Sequence, residues 1–240
     1  MRHIFIADAH LRDPADENYR RLVSFLNTLR GNTTTLVMLG DIFEFWAGYR
    51  HVVFAHYIPL LDALSKLQTS GTQLIFVEGN HDFDPGPYFS DVLKCQLIPN
   101  SAEITLDGRT FHLTHGDLLD PADIGYRLLR RLLRSPLRRA IQSLLPPDLT
   151  WQLGYRWSLR SDRYQQPDFT PCDPRQFIEP YTRKQCSNGA DVVVSGHFHN
   201  PCRGQVPGGE WLVVGDWITQ YSYAEYSNAE LSLHTYQATD

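Results

Sequence analysis

Six short apolar runs recur along the chain, and each is followed by a small group of polar residues. Each run is four or five residues long and rich in Val, Ile, Leu or Phe, which is typical of strands covered on both faces of a sheet. The runs are His3–Ala7, Thr35–Leu39, Leu74–Val77, Thr110–Leu113, Asp191–Val194 and Trp211–Val214. We predict a β-strand at each.

Helical patterns separate several of these strands. Apolar residues recur at helical spacing in Glu17–Arg30 and in Phe54–Ser70, and the second segment ends at Gly71, a residue typical of helix C-termini. Asp107-Gly108 lies between two β-rich segments and predicts a hairpin turn. Alternating strands and helices indicate an α/β sandwich with helices on the outside.

The segment after Thr110–Leu113 has a different character. Asp123–Leu145 is rich in Leu and Arg and predicts one helix, which Pro146-Pro147 ends. The stretch from there to about residue 180 shows little regular period. We therefore expect residues 1–240 to form a single domain with a partly helical insertion at about 118–180.

The polar groups that follow the strands hold the candidate chemistry. They are Asp8-Ala9-His10, Gly40-Asp41, Gly79-Asn80-His81-Asp82, His115-Gly116-Asp117, Gly196-His197-Phe198-His199 and Gly215-Asp216-Trp217. In open α/β sheets, ligands bind beyond the carboxyl ends of the strands, so these groups are expected to converge. Taken singly, each is more often an ordinary turn or a surface polar group. So many in this order, each just past a strand, favour a shared site.

The residue types of these groups indicate metal binding. Asp, Asn and His offer hard oxygens and imidazole nitrogens, which suit Mn²⁺, Zn²⁺ or Fe. Residues two apart in extended backbone point the same way, so Asp8 with His10, and His197 with His199, are each expected to face one place.

Composition limits the classes of protein that fit. The apolar fraction of 42% indicates a folded domain, and a net charge of -5 argues against a general nucleic-acid binder. The N-terminal run lacks a signal-peptide cleavage pattern, and no stretch approaches the roughly 18 apolar residues of a membrane span. We expect a cytoplasmic protein, either soluble or peripheral to the inner face of the membrane.

The motif order D-x-H, G-D, G-N-H-D, H-G-D, G-H-x-H resembles the calcineurin-like metallophosphoesterase superfamily from Asp8 to His199. The resemblance implies a metallophosphoesterase β-sandwich flanked by helices, with a helical lid insertion, and two divalent metal ions, for which we expect Mn²⁺ with Fe or Zn as alternatives. It implies these ligands: Asp8, His10 and His199 for one ion, Asn80, His115 and His197 for the other, and Asp41 bridging both.

Two residues beside the expected ligands are candidates for catalysis. His81 follows Asn80 and is expected to donate a proton to the leaving oxygen or to stabilise the transition state, with Asp82 orienting it. Glu44 and Asp117 are expected to support ligating histidines.

A narrower resemblance concerns the substrate. The strings GDIFEFW, HGDLLDPADIGY and VVGDW resemble the UDP-2,3-diacylglucosamine hydrolases of lipid A synthesis, which cleave a pyrophosphate to release UMP and carry a helical lid over the acyl chains. This resemblance implies substrate contacts at Asn80, Asp123 and Tyr126. The chain departs from the family at His81, where many members have Arg.

The same family carries a Ser/Lys-rich stretch in the later part of the lid, which grips the nucleotide. The corresponding region of this chain offers Arg156, Arg160 and Arg163 instead. Recognition of the lipid part of the substrate is therefore better supported than recognition of UMP.

The Leu- and Arg-rich segment suits a lipid. Leucines recur at helical spacing, and six arginines crowd residues 127–139. Such a surface fits an acyl chain and a phosphate head group, or an anionic membrane. We expect Arg127, Arg131, Leu133 and Leu137 to contact substrate. The alternative is an ordinary amphipathic helix packed on the core.

The sequence thus predicts a two-metal hydrolase of a phosphoester or pyrophosphate bond, acting on UDP-2,3-diacylglucosamine or a similar lipid-linked or nucleotide phosphate. One alternative is a general metallophosphoesterase acting on nucleotides or other phosphodiesters. Another is a non-catalytic module that binds a membrane surface, which the complete ligand set disfavours. We expect no nucleic-acid partner and no obligate protein partner.

Overall fold

Two β-sheets and six α-helices form the described part of the chain, which in this computed structural model covers residues 1–161 and 173–237. The strands are β1 Arg2–Ile6, β2 Thr35–Met38, β3 Gln73–Val77, β4 Gln96–Ile98, β5 Ser101–Leu106, β6 Arg109–Thr114, β7 Val192–Ser195, β8 Cys202–Val206, β9 Gly209–Val213, β10 Ser222–Ser227 and β11 Glu230–Thr235. The helices are α1 Glu17–Thr28, α2 Ile58–Thr69, α3 Ile124–Leu133, α4 Pro136–Leu144, α5 Pro147–Ser161 and α6 Arg175–Ser187.

The two sheets pack face to face. One has the strand order β11-β10-β1-β2-β3-β4, and the other has the order β5-β6-β7-β9-β8. Buried side chains of both sheets, such as Phe5, Ile75, Phe111 and Val194, share one core cluster between them. The expected fold class, an α/β sandwich with flanking helices, is confirmed.

Helices cover the outer faces of the sandwich. On the outside of the first sheet, α1 and α2 bury leucines and Phe25 against Ile4 and Leu36. On the outside of the second sheet, Ile178 of α6 packs with Trp211. Both sheets are therefore covered on both faces, which explains why their central strands are continuous apolar runs.

The predicted elements agree closely with these bounds. Each of the six predicted strands lies within two residues of an observed one. Asp107 and Gly108 connect the antiparallel strands β5 and β6 with φ of 46° and 84°, the left-handed backbone that a two-residue hairpin turn requires. Sequence reasoning missed β4, β8, β10 and β11, which alternate in burial or are very short.

The prediction of a single helix over Asp123–Leu145 is wrong. The segment forms α3 and α4, which are separated at Arg134 and Ser135. Pro136 lacks the N–H that would continue α3, and the Ser135 side chain accepts a hydrogen bond from the Arg138 N–H as the N-cap of α4.

The segment that follows is also more regular than expected. It contains α5 and the start of α6. Of the arginines predicted there, Arg163 lies outside the described residues, as does the side chain of Arg160. Within residues 1–161 and 173–237, no helix is both long and apolar enough to cross a membrane.

Candidate metal centre

The polar groups converge because the strands before them are parallel. β1, β2 and β3 run in the same direction, as do β6, β7 and β9, so their carboxyl ends meet at one edge of the sandwich. Backbone hydrogen bonds join the loops there. The N–H of Asp8 donates to Gly40 O at 3.1 Å, and the N–H of His10 donates to Asp41 O at 2.9 Å.

Six of the seven predicted ligands form two groups in which the candidate ligand atoms lie within 4.8 Å of one another. The groups are Asp8 with His10 and His199, and Asp41 with His115 and His197. The seventh, Asn80, adjoins the second group, since its Oδ1 lies 3.0 Å from Nε2 of His115.

Asp41 lies between the two groups. Its Oδ2 is 3.7 Å from Nε2 of His10 and 3.5 Å from Nε2 of His115. This is the place that a carboxylate bridging two ions would occupy. The roles of these seven residues as ligands stay a prediction, which this geometry supports.

The donor atoms at the site fit divalent cations. Oδ1 of Asp8 and both ring nitrogens of His10 are buried and have no hydrogen-bond partner among the described residues. A buried polar atom left unsatisfied costs about 1–3 kcal/mol. Metal coordination would satisfy these atoms, and the oxygen and imidazole donors suit Mn²⁺, Fe or Zn²⁺.

The buried environment shifts the pKa values of the site's histidines and of Asp8. Burial lowers the pKa of His10 well below its usual value, and burial together with the neighbouring His115 lowers the pKa of His197 to about 4. Both rings are therefore neutral near pH 7, the form in which imidazole binds a metal. Burial raises the pKa of the Asp8 carboxyl well above its ordinary range.

Asp41 and His115 shift each other's pKa in opposite directions. Burial alone would raise the pKa of Asp41, but the neighbouring His115 and His81 more than offset it, and the net shift is well downward. Burial would lower the pKa of His115, but Asp41 raises it to about 10. A histidine binds a metal in its neutral form, so metal binding at this pair is expected to release a proton from His115.

The backbone of the site is strained. Five predicted ligands adopt left-handed backbone conformations with positive φ: Asp8 (52°), His10 (43°), Asp41 (53°), His197 (75°) and His199 (50°). Residues with a Cβ disfavour this region, at a cost of about 1–2 kcal/mol each. This backbone differs from the extended one assumed for the D-x-H and H-x-H motifs, although each pair still faces one group.

Asp82 joins the loops that follow β2 and β3. Its carboxylate accepts backbone N–H bonds from Asp41 at 3.0 Å, Ile42 at 2.7 Å, Phe43 at 3.2 Å and Gly79 at 3.1 Å. The expectation that Asp82 orients the His81 ring is therefore corrected. Asp82 instead positions the backbone that holds Asp41.

His81 is held by other groups. Its backbone N–H donates to Asp41 Oδ1 at 2.9 Å, and its ring packs edge-on against His10 at a centroid distance of 4.7 Å. Nδ1 lies 3.0 Å from Glu44 O and 2.5 Å from Ser158 Oγ. Burial lowers its pKa, but Asp41 and Glu44 raise it more, so the net shift is upward. Sequence reasoning missed Ser158.

Of the predicted substrate residues of the insertion, Asp123 caps a helix, whereas Tyr126 and Leu133 lie next to the candidate metal ligands. Asp123 is the N-cap of α3, where its Oδ1 accepts from the N–H of Tyr126 at 2.8 Å. The Tyr126 hydroxyl donates to Asp117 Oδ2, and Tyr126 and Leu133 line a small pocket that includes Asn80. Asp123 thus caps α3 and its predicted contact with substrate stays a prediction, whereas Tyr126 and Leu133 lie beside an expected ligand.

Arg130, Arg134 and Arg138 of the insertion are partly buried and pair with acidic side chains, whereas Arg127, Arg131 and Arg139 are exposed. Arg130 Nε lies 2.8 Å from Asp117 Oδ2, and Arg134 Nη1 lies 2.5 Å from Glu78 Oε2. Arg127 donates to the carbonyl of Leu118 at 2.7 Å. The buried acids at the strand ends attract Arg130 and Arg134, so these two side chains turn toward the core.

Apart from Leu133, most leucines of the same helices face outward. Leu128, Leu132, Leu137 and Leu144 are 65%, 60%, 65% and 84% exposed. The predicted substrate contacts of Leu137 and Arg131 therefore stay predictions, for which both side chains are open to solvent.

This combination of fold and site defines a metallophosphoesterase. The chain matches the calcineurin-like phosphoesterase family over residues 1–201 and belongs to it. The solved structure of a novel archaeal phosphodiesterase has the same fold, with a TM-score of 0.51 and 13% identity, covering 98% of this chain and 99% of that one.

Curated relatives narrow the comparison. The chain is 30% identical to UDP-2,3-diacylglucosamine hydrolase of Pseudomonas putida over 89% of its own length and 90% of the relative. It is 28% identical to the protein of the same name from Psychromonas ingrahamii, over 97% of this chain and 96% of that one. Both resemblances found in the sequence are confirmed, as is the expectation of a hydrolase.

Proposed function

We propose that this protein is a two-metal hydrolase that cleaves the pyrophosphate bond of UDP-2,3-diacylglucosamine or of a similar lipid-linked nucleotide. The observation that carries the proposal is that two candidate metal-binding groups meet at Asp41, beside a small cavity that Tyr126 and Leu133 of the insertion line together with Asn80. The names of the curated relatives support the substrate class.

Each part of the site has a task in this reaction. Two bound divalent cations, Mn²⁺ in our proposal with Fe or Zn²⁺ as alternatives, would supply an activated water and stabilise charge on the phosphoryl oxygens. Asp82 keeps the Asp41 backbone in place through its four N–H bonds. In its doubly protonated form, His81 would donate its Nε2 proton to the leaving oxygen while its Nδ1–H stays hydrogen-bonded.

We further propose that α3, α4 and α5 form the lid of the substrate site within one domain. Leu133 and Tyr126 border the pocket at Asn80 and would contact the sugar or the start of an acyl chain. The exposed leucines of α3 and α4 would continue this apolar surface outward, toward the remaining acyl chain or an anionic membrane surface.

Activity should depend strictly on divalent metal. Chelation followed by gel filtration is expected to abolish hydrolysis of bis-p-nitrophenyl phosphate and of UDP-2,3-diacylglucosamine, and Mn²⁺ is expected to restore both best. Elemental analysis of each sample links turnover to metal content. Full turnover by a sample with no bound metal would contradict the two-metal proposal.

Leu133→Ala should weaken binding of the lipid substrate specifically. Each buried methylene contributes about 0.8 kcal/mol, so losing up to three is expected to raise KM by roughly 10- to 50-fold. Turnover of bis-p-nitrophenyl phosphate should stay nearly unchanged, since the metal groups are untouched. Ile58→Ala, at an exposed position on α2 outside the insertion, is the matched control. An equal loss on both substrates would show that Leu133 supports the fold rather than the lipid.

A further inference from the structure

One face of α5 packs against the loop that follows β2. The Tyr49 hydroxyl donates to Thr150 Oγ1 at 2.6 Å near the start of the helix. One turn further on, a Cβ added at Gly154 would lie 2.2 Å from Cε2 of Phe45, so the helix backbone approaches this ring as only glycine allows. Ser158 follows on the same face after another turn and is buried beside Glu44.

The hydrogen bonds around Ser158 have one consistent direction. The carbonyl of Glu44 only accepts, so Nδ1 of His81, which lies 3.0 Å from it, carries a hydrogen. The same Nδ1–H points to Ser158 Oγ at 2.5 Å. The serine hydroxyl then donates to Glu44, whose carbonyl oxygen lies 2.6 Å away and whose carboxylate Oε1 lies 2.7 Å away.

The series of hydrogen bonds ends at the guanidinium group of Arg12. Oε2 of the fully buried Glu44 accepts from Nε of Arg12 at 3.0 Å. The charge of the Glu44 carboxylate is therefore balanced on one side by Arg12, and on the other side it reaches the His81 ring through the Ser158 hydroxyl. Since Nδ1 is engaged, Nε2 is the ring nitrogen left for a substrate atom.

From this geometry we infer that Ser158 is a positioning residue for His81, by which the helical insertion sets the orientation of the ring and holds the hydrogen on Nδ1, with Nε2 left to face the leaving group. The inference rests on the proposed hydrolase function for the role of His81. It gives the insertion a part in the chemical step in addition to covering the substrate. If Ser158 only filled space, removing its hydroxyl would leave the His81 ring unaffected.

The first measurement does not depend on turnover. In Zn²⁺-loaded protein with ¹⁵N-labelled histidine, the Nδ1–H proton of His81 should resonate at low field, as expected for a short hydrogen bond. Ser158→Ala should shift it to higher field, whereas Ser158→Thr, which keeps the hydroxyl, should preserve it. An unchanged resonance in Ser158→Ala would overturn the inference, whether or not the protein hydrolyses any phosphate ester.

The second measurement uses leaving groups of different basicity. Ser158→Ala should lower kcat for a phenyl phosphodiester by about 10- to 100-fold, the usual effect of losing a group that orients an active-site residue. The loss should be smaller for a p-nitrophenyl diester, which needs less proton donation, with KM and metal content little changed. Ser158→Thr should recover much of the activity, and Gln152→Ala, on the exposed side of α5, should match wild type.

The outcomes separate the two proposals. An equal loss for every leaving group, or no rescue by threonine, would show that Ser158 contributes packing only. The protein could hydrolyse no diester or pyrophosphate and still show a low-field His81 resonance that responds to Ser158→Ala. In that case the positioning of His81 stands and the proposed function is rejected.

Discussion

Asp41→Ala is expected to lower hydrolysis by about 10³-fold or more, since two-metal stabilisation of the transition state amounts to several kcal/mol and each 1.36 kcal/mol is tenfold in rate. Asp41 is the one predicted ligand whose carboxylate lies between both groups, 3.7 Å from Nε2 of His10 and 3.5 Å from Nε2 of His115. Its loss should therefore impair both ion sites, and it should be the most damaging of the ligand substitutions.

Metal content distinguishes a metal-bridging role of Asp41 from a purely structural one. Elemental analysis should show loss of both ions in Asp41→Ala, while circular dichroism shows a folded protein. Asp41→Asn keeps the shape of the side chain but lacks the charge, and should also bind metal poorly. Asp62→Ala, at an exposed position on α2, should behave as wild type. Retention of two ions by an inactive Asp41→Ala protein would show that Asp41 acts on the substrate and does not bridge metals.

His81→Ala is expected to keep both metal ions and lose about 10²–10⁴ in rate, the usual contribution of a positioned acid–base group. The ring lies beside His10 at a centroid distance of 4.7 Å, close to the metal groups, but its Nδ1 is directed to Glu44 and Ser158. Substrates with good leaving groups should recover part of the loss, because they need less protonation as the bond breaks.

The chief competing role for His81 is metal binding. His10, Glu44 and His81 have candidate ligand atoms within 4.8 Å of one another, so the geometry also permits a cation there. A drop in metal content in His81→Ala would establish that role and exclude the proton donor. His56→Ala is a control, because that exposed ring stacks on Trp151 away from the metal groups.

The strands and the candidate ligands could be predicted from the sequence because one rule governs both. A buried parallel strand is a continuous apolar run, and the residues after it share an edge with those after its neighbours. Asp8 and Asp41 follow β1 and β2, which pair in parallel through His3 and Thr35. The local sequence pattern of apolar runs followed by polar residues was therefore enough to predict that these distant residues lie together.

The insertion could not be predicted in the same way, because its orientation depends on partners distant in sequence. Arg130 and Arg134 turn toward the core because Glu78 and Asp117 lie at the strand ends, which the helical pattern alone does not reveal. The break between α3 and α4 did have a local signal in Ser135-Pro136. The role of Ser158 had none, because its partner Glu44 is 114 residues away.

The left-handed backbone at the candidate ligands has a consequence for protein engineering. At Asp8, His10, Asp41, His197 and His199, glycine would relieve conformational strain that the native side chains impose. Selection of a mutant library for heat resistance alone would therefore favour glycine at these positions and enrich inactive variants. Thermostable versions of this protein should be sought with the five codons held constant, or with turnover as a second criterion in every round.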